Sequence, residues 1–427
     1  MPFLTLEDPN AKIKGSRDPL GVQPIWAQFG RRVVTNVTTQ SSSVRGFTVL
    51  ILARYFTERL VDEGRLPREE ALAAFLRVEQ MGAYARHLGH GVTRDIRGIE
   101  RVTTFAAEGK GRVHITSGQR GRILTDQKIY GLWGLYSVAA RTSGLIADGP
   151  VGLTPEARDF VDSEYGAHLE RGLRPLLDLV ASDGVLKTRA NDPAFRSLAA
   201  VLPEGFSGRE VAFYGRFLRD GLEVKTAHRE RQKDFAGLLA DQDTLGSTLG
   251  REEAVELMEA ARGMNDGLSS AVERILHLEA LLAPAAALLD FVLTQGGQRP
   301  ADVAAKLDDR WGEAVPNLDP DAFTKILPEI RDASRTETAQ AAARCHETLR
   351  AGAYEDAITA VLDWNAQVSQ DRRSAPWVQI GEGGRLDVRY RGAEQLLPDG
   401  DALPTLWKNS YFIDSLKSVI RQLRVSQ

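Results

Sequence analysis

The feature that most constrains the fold is a long apolar segment in the second half of the chain. Residues 269–293, SSAVERILHLEALLAPAAALLDFVL, place apolar side chains on nearly every side of a helix. A helix of this kind has no polar face to turn towards water, so other helices must cover it. We therefore expect it to form the centre of a helical bundle, with Pro284 kinking or breaking it because proline removes a backbone hydrogen bond.

The sequence around this segment also favours helices. From about residue 154 to 371, apolar residues recur at helical spacing, and no fixed-period repeat indicates a solenoid. Two glycine-centred patterns predict β-hairpins. One is centred on EGKG at residues 108–111, between two β-prone runs, and the other on GEGG at residues 381–384.

Composition places the chain among ordinary globular proteins. It has 427 residues, of which 26% are charged and 43% hydrophobic, which excludes wholesale disorder and collagen-like repeats. Cys345 is the only cysteine, so no intrachain disulfide is expected and a reducing compartment fits. No targeting segment is recognised, and the longest apolar runs fall short of the roughly 20 residues that span a bilayer. We expect a cytoplasmic protein without a membrane contact. The high ratio of Arg to Lys, with abundant Ala, suggests a GC-rich bacterial source.

Charge is unevenly distributed along the chain. The net charge is −4, yet residues 1–150 carry 21 Lys and Arg against 14 Asp and Glu. The remainder is therefore acidic by 11 charges. Between Arg86 and Lys128 there are nine basic and four acidic residues. A basic first third joined to an acidic remainder is typical of a polyanion-binding module on a solubilising or partner-binding body.

One stretch carries a family resemblance. SVAARTSGLI (137–146) ends a predicted helix with Gly144, Asp148-Gly149 is a turn signal, and GLTPEARDFV (152–161) opens another helix at Thr154-Pro155. This order resembles the closing segment of bacterial winged-helix proteins. The resemblance implies a recognition helix over residues 125–143, with Thr125 as its N-cap, and a short wing over residues 147–150.

The expected fold class is accordingly mainly α, with an N-terminal helical and winged-helix part, a long helical-bundle middle and a C-terminal β-hairpin plus helix. The expected segments are an extended arm (1–43), a helical and winged-helix-like basic domain (44–165), an acidic helical domain (166–370), and a β-hairpin with a terminal helix (371–427). The terminal helix carries an apolar stripe formed by Phe412, Leu416, Val419 and Ile420. That stripe must be buried, either on this chain or on a partner.

The loop SGQRGR (117–122) is the strongest candidate for binding phosphate. Its glycines allow close approach of a ligand, and its arginines supply planar forks that match phosphate oxygens. Neither a Walker A loop nor a dinucleotide-binding fingerprint is present in the sequence. We predict that basic and amide side chains in and near this loop, and on the predicted recognition helix, contact nucleic acid. These residues are Arg112, Arg120, Arg122, Gln127, Lys128 and Arg141.

Other chemical patterns are weaker, and each has a simple structural explanation. His87 and His90 have metal-ligand spacing but lack a third ligand, and no metal or cofactor is predicted. Cys345 and His346 are adjacent on a helix and point in different directions, which favours core packing over a thiolate pair. Glu223 and Lys225 match half of a nuclease motif, but their neighbours predict a helix rather than the strand that motif needs. No catalytic residue is assigned.

The sequence favours a non-enzymatic nucleic-acid-binding or adaptor component of a bacterial multi-protein system. The chain is loosely similar to winged-helix components of bacterial antiviral-defence loci. Duplex DNA is the expected ligand, and a protein partner is expected on the acidic helical body or the terminal helix. Two alternatives remain open: an enzyme, such as a nuclease or other hydrolase, whose site is assembled from scattered residues, and a structural helical scaffold.

Overall fold

The structure is a computed structural model that describes residues 18–224, 229–241, 248–312, 315, 318–390 and 397–424. Within these ranges the protein is mainly helical, as predicted. The strands form two small antiparallel sheets of two strands each.

The secondary structure follows in chain order. The helices are α1 (Gln23–Gly30), α2 (Val44–Asp62), α3 (Ala71–His90), α4 (Ile99–Gly109), α5 (Gln127–Tyr130), α6 (Leu132–Thr142), α7 (Pro155–Phe160), α8 (Gly166–Leu169), α9 (Leu173–Ala181), α10 (Pro193–Val201), α11 (Gly208–Tyr214), α12 (Arg229–Asp241), α13 (Arg251–Ala261), α14 (Asp266–Val292), α15 (Pro300–Trp311), α16 (Pro320–Ala333), α17 (Thr336–Arg350), α18 (Tyr354–Asp371) and α19 (Ile413–Arg424). The strands are β1 (Arg112–Ile115), β2 (Gly184–Lys187), β3 (Val378–Ile380) and β4 (Leu386–Val388).

The chain divides into two compact units. Unit 1 comprises Met1–Val33 and Thr248–Tyr411, and unit 2 comprises Val34–Ser247 and Phe412–Gln427. We expected a domain boundary at residue 165, but this residue lies inside unit 2. A π-helical turn at Val161–Tyr165 joins α7 to α8 there. The boundary shifts because α9 and α10 of the expected acidic domain pack against α2 and α3 of the expected basic domain.

Helix α14 is the core of unit 1. It packs against α1, α13, α16 and α18, and Pro284 lies inside the helix without ending it. By length and composition it is long and apolar enough to cross a membrane, but 72% of its most apolar window is buried within the fold. The prediction of a buried central helix is confirmed.

The predicted N-terminal arm is wrong for the described residues 18–43. Helix α1 lies within this range, and Ile25, Trp26 and Phe29 are buried. These large apolar side chains make a folded helix more favourable than a solvated arm, because α14 and α16 cover them. Residues 1–17 lie outside the described part of the chain.

The hairpin predicted around residues 108–111 does not form. The run before it is helix α4, and the left-handed conformations of Lys110 (φ 46°) and Gly111 (φ 89°) turn the chain into β1. Strand β1 instead pairs with β2, in a register that places Arg112 opposite Lys187 and His114 opposite Val185. The run before the turn contains β-prone residues, but its apolar side chains recur at helical spacing. It therefore forms a helix, which buries Val102.

The stretch with the winged-helix resemblance has the predicted local order, with one correction. The predicted helix over residues 125–143 is two helices, α5 and α6, separated at Gly131, and the N-cap of α5 is Asp126 rather than Thr125. After α6, Ile146 and Leu153 form a single antiparallel bridge around the Asp148-Gly149 turn. Helix α7 then begins at Pro155.

Both C-terminal predictions are confirmed. Strands β3 and β4 pair in antiparallel fashion across residues 381–384. Helix α19 buries Leu416, Val419 and Ile420, each at most 1% exposed. Phe412, predicted as part of the helix, directly precedes it with φ 65° and is also buried. In unit 2, α19 packs against α11, α12 and the π-helical turn Gly215–Arg219. The apolar stripe of the terminal helix is thus covered by its own chain.

Leu416→Ala tests this packing. Leu416 is fully buried, so the truncation should lower the free energy of unfolding by about 2–5 kcal/mol, as for other buried leucines. Urea unfolding followed by circular dichroism measures the change. Arg421→Ala on the exposed side of α19 is the control and should change stability by less than about 0.5 kcal/mol. Equal stability of both variants would show that the stripe is not part of the core.

Candidate nucleic-acid interface

The ion pairing of the basic residues between 86 and 128 bears on whether they are available to bind an anion. Elsewhere, many arginines form ion pairs with carboxylates, such as Arg65 with Asp178 at 2.7 Å. Among the described residues, none of the nine cations between 86 and 128 forms an ion pair. Arg86 is buried, and the other eight are exposed or half-buried. The eight, called here the cation stripe, are Arg94, Arg97, Arg101, Lys110, Arg112, Arg120, Arg122 and Lys128.

Hydrogen bonds to uncharged groups within unit 2 hold two members of the cation stripe, Arg101 and Arg122. The Arg101 guanidinium donates to the backbone oxygen of Arg122 and to Thr125 Oγ1, at 3.3 Å each. Arg122 Nε donates to the backbone oxygen of Ser117 at 3.4 Å. Hydrogen bonds to uncharged groups orient a guanidinium without neutralising it, so the positive charge remains available to an anion.

Four of the predicted binding residues are available to solvent without an ion pair. Arg112 projects from the exposed face of β1, Arg120 from the loop after it, and Lys128 from α5, while Arg122 is half-buried. Arg141 is exposed at the end of α6, but its Nε lies 3.2 Å from Asp148 Oδ1 in the turn that follows. A solvated ion pair of this kind is weak, yet it makes Arg141 a poorer phosphate ligand than its neighbours.

Gln127 is not available for reading a base, and its prediction as a binding residue is wrong. Its side chain is 1% exposed. Gln127 Nε2 donates to Glu79 Oε2 at 2.9 Å and to the backbone oxygen of Leu76 at 3.0 Å. Its Oε1 accepts from Gln80 Nε2 at 3.2 Å. The amide is used internally because burial without these partners would leave its polar atoms unsatisfied.

The same buried network sets the break between α5 and α6. Glu79 Oε1 accepts the backbone N–H of Leu132 at 2.7 Å, which caps α6 from the side of α3. A Cβ at Gly131 would lie 2.6 Å from Glu79 Oε1 and 2.4 Å from the backbone oxygen of Gln127, so only glycine fits. On the same helix, Gln80 bonds both polar groups of the Thr116 backbone, which holds the start of the SGQRGR loop. Helix α3 thereby positions both Lys128 and Arg120.

Burial raises the pKa of Glu79 to about 7. The hydrogen bonds from Gln127 and from the Leu132 N–H, and the charge of Arg97, favour the ionised form but do not offset the loss of hydration. Nothing in the sequence around Glu79 distinguishes it from an ordinary helix glutamate, apart from its place amid the apolar residues of α3.

Strand pairing adds residues that the sequence did not associate with this surface. Lys187 of β2 lies opposite Arg112, and Arg189 lies beside Gly111, so both add positive charge near β1. The two strands are separated by about 70 residues in the chain, and no local signal predicts their pairing. Beside them lies a cavity of about 560 Å³, which both His114 and Arg120 line.

The described residues of the weaker chemical patterns have structural roles. His87 Nδ1 lies 3.0 Å from the backbone oxygen of Val92, and His90 Nε2 lies 2.7 Å from that of Ala199. No group of three or more His, Cys, Asp and Glu that could hold a metal occurs among the described residues. Cys345 is fully buried, which raises its pKa to about 12, and His346 stacks on Phe323. Glu223 pairs with Arg216, and Lys225 lies outside the described residues.

Comparison of the chain with protein-family models, with curated proteins and with solved structures found no match.

Glu79→Gln tests the buried network through pH. Because folding raises this pKa, the stability gained from protonated Glu79 is complete below its ordinary pKa of 4.5 and is lost as the pH rises to about 7. Relative to the variant, the wild-type free energy of unfolding should therefore fall by about 2–3 kcal/mol between pH 5 and pH 8. Urea unfolding at both pH values measures the difference. Glu100→Gln, an exposed change on α4, serves as the control. A pH-independent difference between wild type and Glu79→Gln would contradict the raised pKa.

Proposed function

We propose that this protein is a non-enzymatic nucleic-acid-binding component of a bacterial multi-protein system, and that the cation stripe is its binding surface. Within the described chain, the cations at residues 86–128 form no ion pairs, and this absence is the observation that carries the proposal. Many arginines in other parts of the described chain do form ion pairs. An unpaired guanidinium on a surface is matched in charge and geometry to a phosphate.

Phosphate contacts position a protein on nucleic acid without reading its sequence. Since Gln127 is buried in the network with Glu79, one of the side chains suited to reading a base edge is removed from the surface. The proposed binding therefore has little sequence preference and depends strongly on salt, because it releases counterions from the nucleic acid. Duplex DNA is the ligand we favour.

The winged-helix resemblance supports the proposal through local order. Helix α6, the bridge between Ile146 and Leu153, and helix α7 follow one another as in the closing segment of that family. The bridge is short and its turn carries Asp148 rather than a cation, so the proposal places the phosphate contacts on the cation stripe instead of on the wing. The likeness to components of antiviral-defence loci suggests a partner for the acidic residues after 150, which makes the protein an adaptor.

Replacement of Arg120, Arg122 and Lys128 together by Ala tests the proposal. Affinity for a fluorescent DNA duplex should fall on every sequence tested. The slope of log affinity against log salt should also become shallower by up to about three, since each lost phosphate contact contributes about 0.9. Fluorescence anisotropy between 50 and 200 mM salt gives both quantities.

The matched control replaces Lys325, Arg331 and Arg350 by Ala. These three residues are exposed and belong to unit 1, and their replacement removes the same charge from the protein as the test variant does. The control should retain wild-type affinity to within about twofold, because none of its three residues belongs to the cation stripe. Equal losses in the two triple variants would mean that net charge, not the cation stripe, governs binding. No binding by the wild-type protein at 50 mM salt would refute the proposed function.

A further inference from the structure

The cavity beside β1 and β2 is large enough for an organic ligand. Its volume of about 560 Å³ falls within the range of about 300–1,000 Å³ that is usual for small-molecule sites. It is lined by the end of β1, by the loop that follows, and by the start of β2. The lining combines a cation, an imidazole, a carboxylate and an aliphatic side chain, so it offers different chemistry to different parts of one ligand.

A fixed carboxylate, Asp183, also lines the cavity. Arg77 Nε donates to Asp183 Oδ1 at 2.9 Å, the Thr116 hydroxyl donates to Oδ2, and the Ser117 N–H donates to Oδ1 at 3.4 Å. Burial opposes ionisation of Asp183, but these hydrogen bonds and the charge of Arg77 outweigh it and lower its pKa. The side chain is still 56% exposed, so its oxygens can accept further hydrogen bonds from a ligand in the cavity.

The Arg120 and His114 side chains of the lining are not bound to this carboxylate. Arg120 and His114 are exposed, and neither forms an ion pair with a described residue. The cavity therefore presents a cation and an imidazole to an anionic group, and a carboxylate to a group that donates hydrogen bonds. Val185 is half-exposed and Gly184 has no side chain, which leaves apolar surface for a flat ring.

We propose that this cavity binds one unpaired nucleotide at the end of a nucleic-acid strand, an inference that rests on the proposed function. The nucleotide phosphate accepts hydrogen bonds from Arg120 and His114, and Asp183 accepts them from an amino or hydroxyl group of the base or sugar. The base packs on Val185. A base inside a duplex is stacked and paired, so only an unpaired nucleotide presents these groups together.

The exposed face of the two-stranded sheet leads to this cavity. Side chains alternate along a strand, so Arg112 and His114 lie on the same face of β1, and Lys187 and Val185 lie opposite them on β2. Successive phosphates that contact Arg112 and Lys187 therefore bring the strand end to His114 and into the cavity. This continuity favours a strand end over an unrelated metabolite that carries both charges.

Val185→Trp tests the cavity apart from the cation stripe, because it places an indole ring where the base is proposed to pack and removes no charge. The full-length protein is titrated with a blunt DNA duplex, with the same duplex carrying a three-nucleotide single-stranded overhang, and with AMP as a competitor. The wild type should bind the overhang duplex about tenfold more tightly than the blunt one, the gain expected from stacking and contacting one base. Val185→Trp should lose this preference and keep the affinity for the blunt duplex.

Val138→Trp is the matched control, since Val138 is exposed on α6 and does not line the cavity. It should keep the overhang preference. Gln119→Trp, in the exposed loop that lines the cavity, is a second obstructing variant that does not depend on how β2 tolerates a larger side chain.

The outcomes distinguish the two proposals. Equal wild-type affinity for overhang and blunt duplexes, or an overhang preference that survives both obstructing variants, would overturn the cavity assignment and leave the proposed function intact. Binding of AMP that Val185→Trp abolishes, without binding of either duplex, would overturn the proposed function and support the cavity as a site for a free nucleotide.

Discussion

A carboxylate buried in helix α3 is the interaction on which the candidate interface depends. Glu79 accepts one hydrogen bond from the Gln127 side chain and one from the backbone N–H of Leu132. Leaving either donor unpaired in the core would cost about 1–3 kcal/mol, so the chain ahead of α6 is held in one position. The break at Gly131 follows from this constraint, and the break directs Lys128 outward.

Unit 1 also has a buried, hydrogen-bonded carboxylate in its own core helix. Glu279 of α14 accepts the backbone N–H groups of Lys408 and Asn409, the Asn409 amide and the Tyr411 hydroxyl, the last at 2.6 Å. Burial raises the pKa of Glu279 as it does that of Glu79. Each unit therefore fixes a distant, irregular segment onto its central helix by a buried acid that backbone donors satisfy.

The surface and the core of unit 2 differ in how their polar side chains are paired. The buried side chains of Arg77 and Gln127 have polar partners within the unit, whereas the exposed cations from residue 94 to 128 lack carboxylate partners among the described residues. Pairing these cations internally would gain little, since surface ion pairs contribute at most about 1 kcal/mol. Leaving them unpaired costs the fold little and preserves a positive surface.

The sequence by itself determined the helical class, the buried central helix α14, the C-terminal hairpin and the amphipathic helix α19. Each depends on local periodicity or on turn glycines, as at residues 381–384, which act over a few residues. The tertiary structure alone decided that β1 pairs with β2, that residues 18–43 include a packed helix, and that Gln127 is buried. It also decided that the stripe at Leu416 is covered by its own chain. These outcomes depend on which distant groups satisfy a buried amide or cover an apolar face, and that information lies in long-range packing rather than in any local pattern.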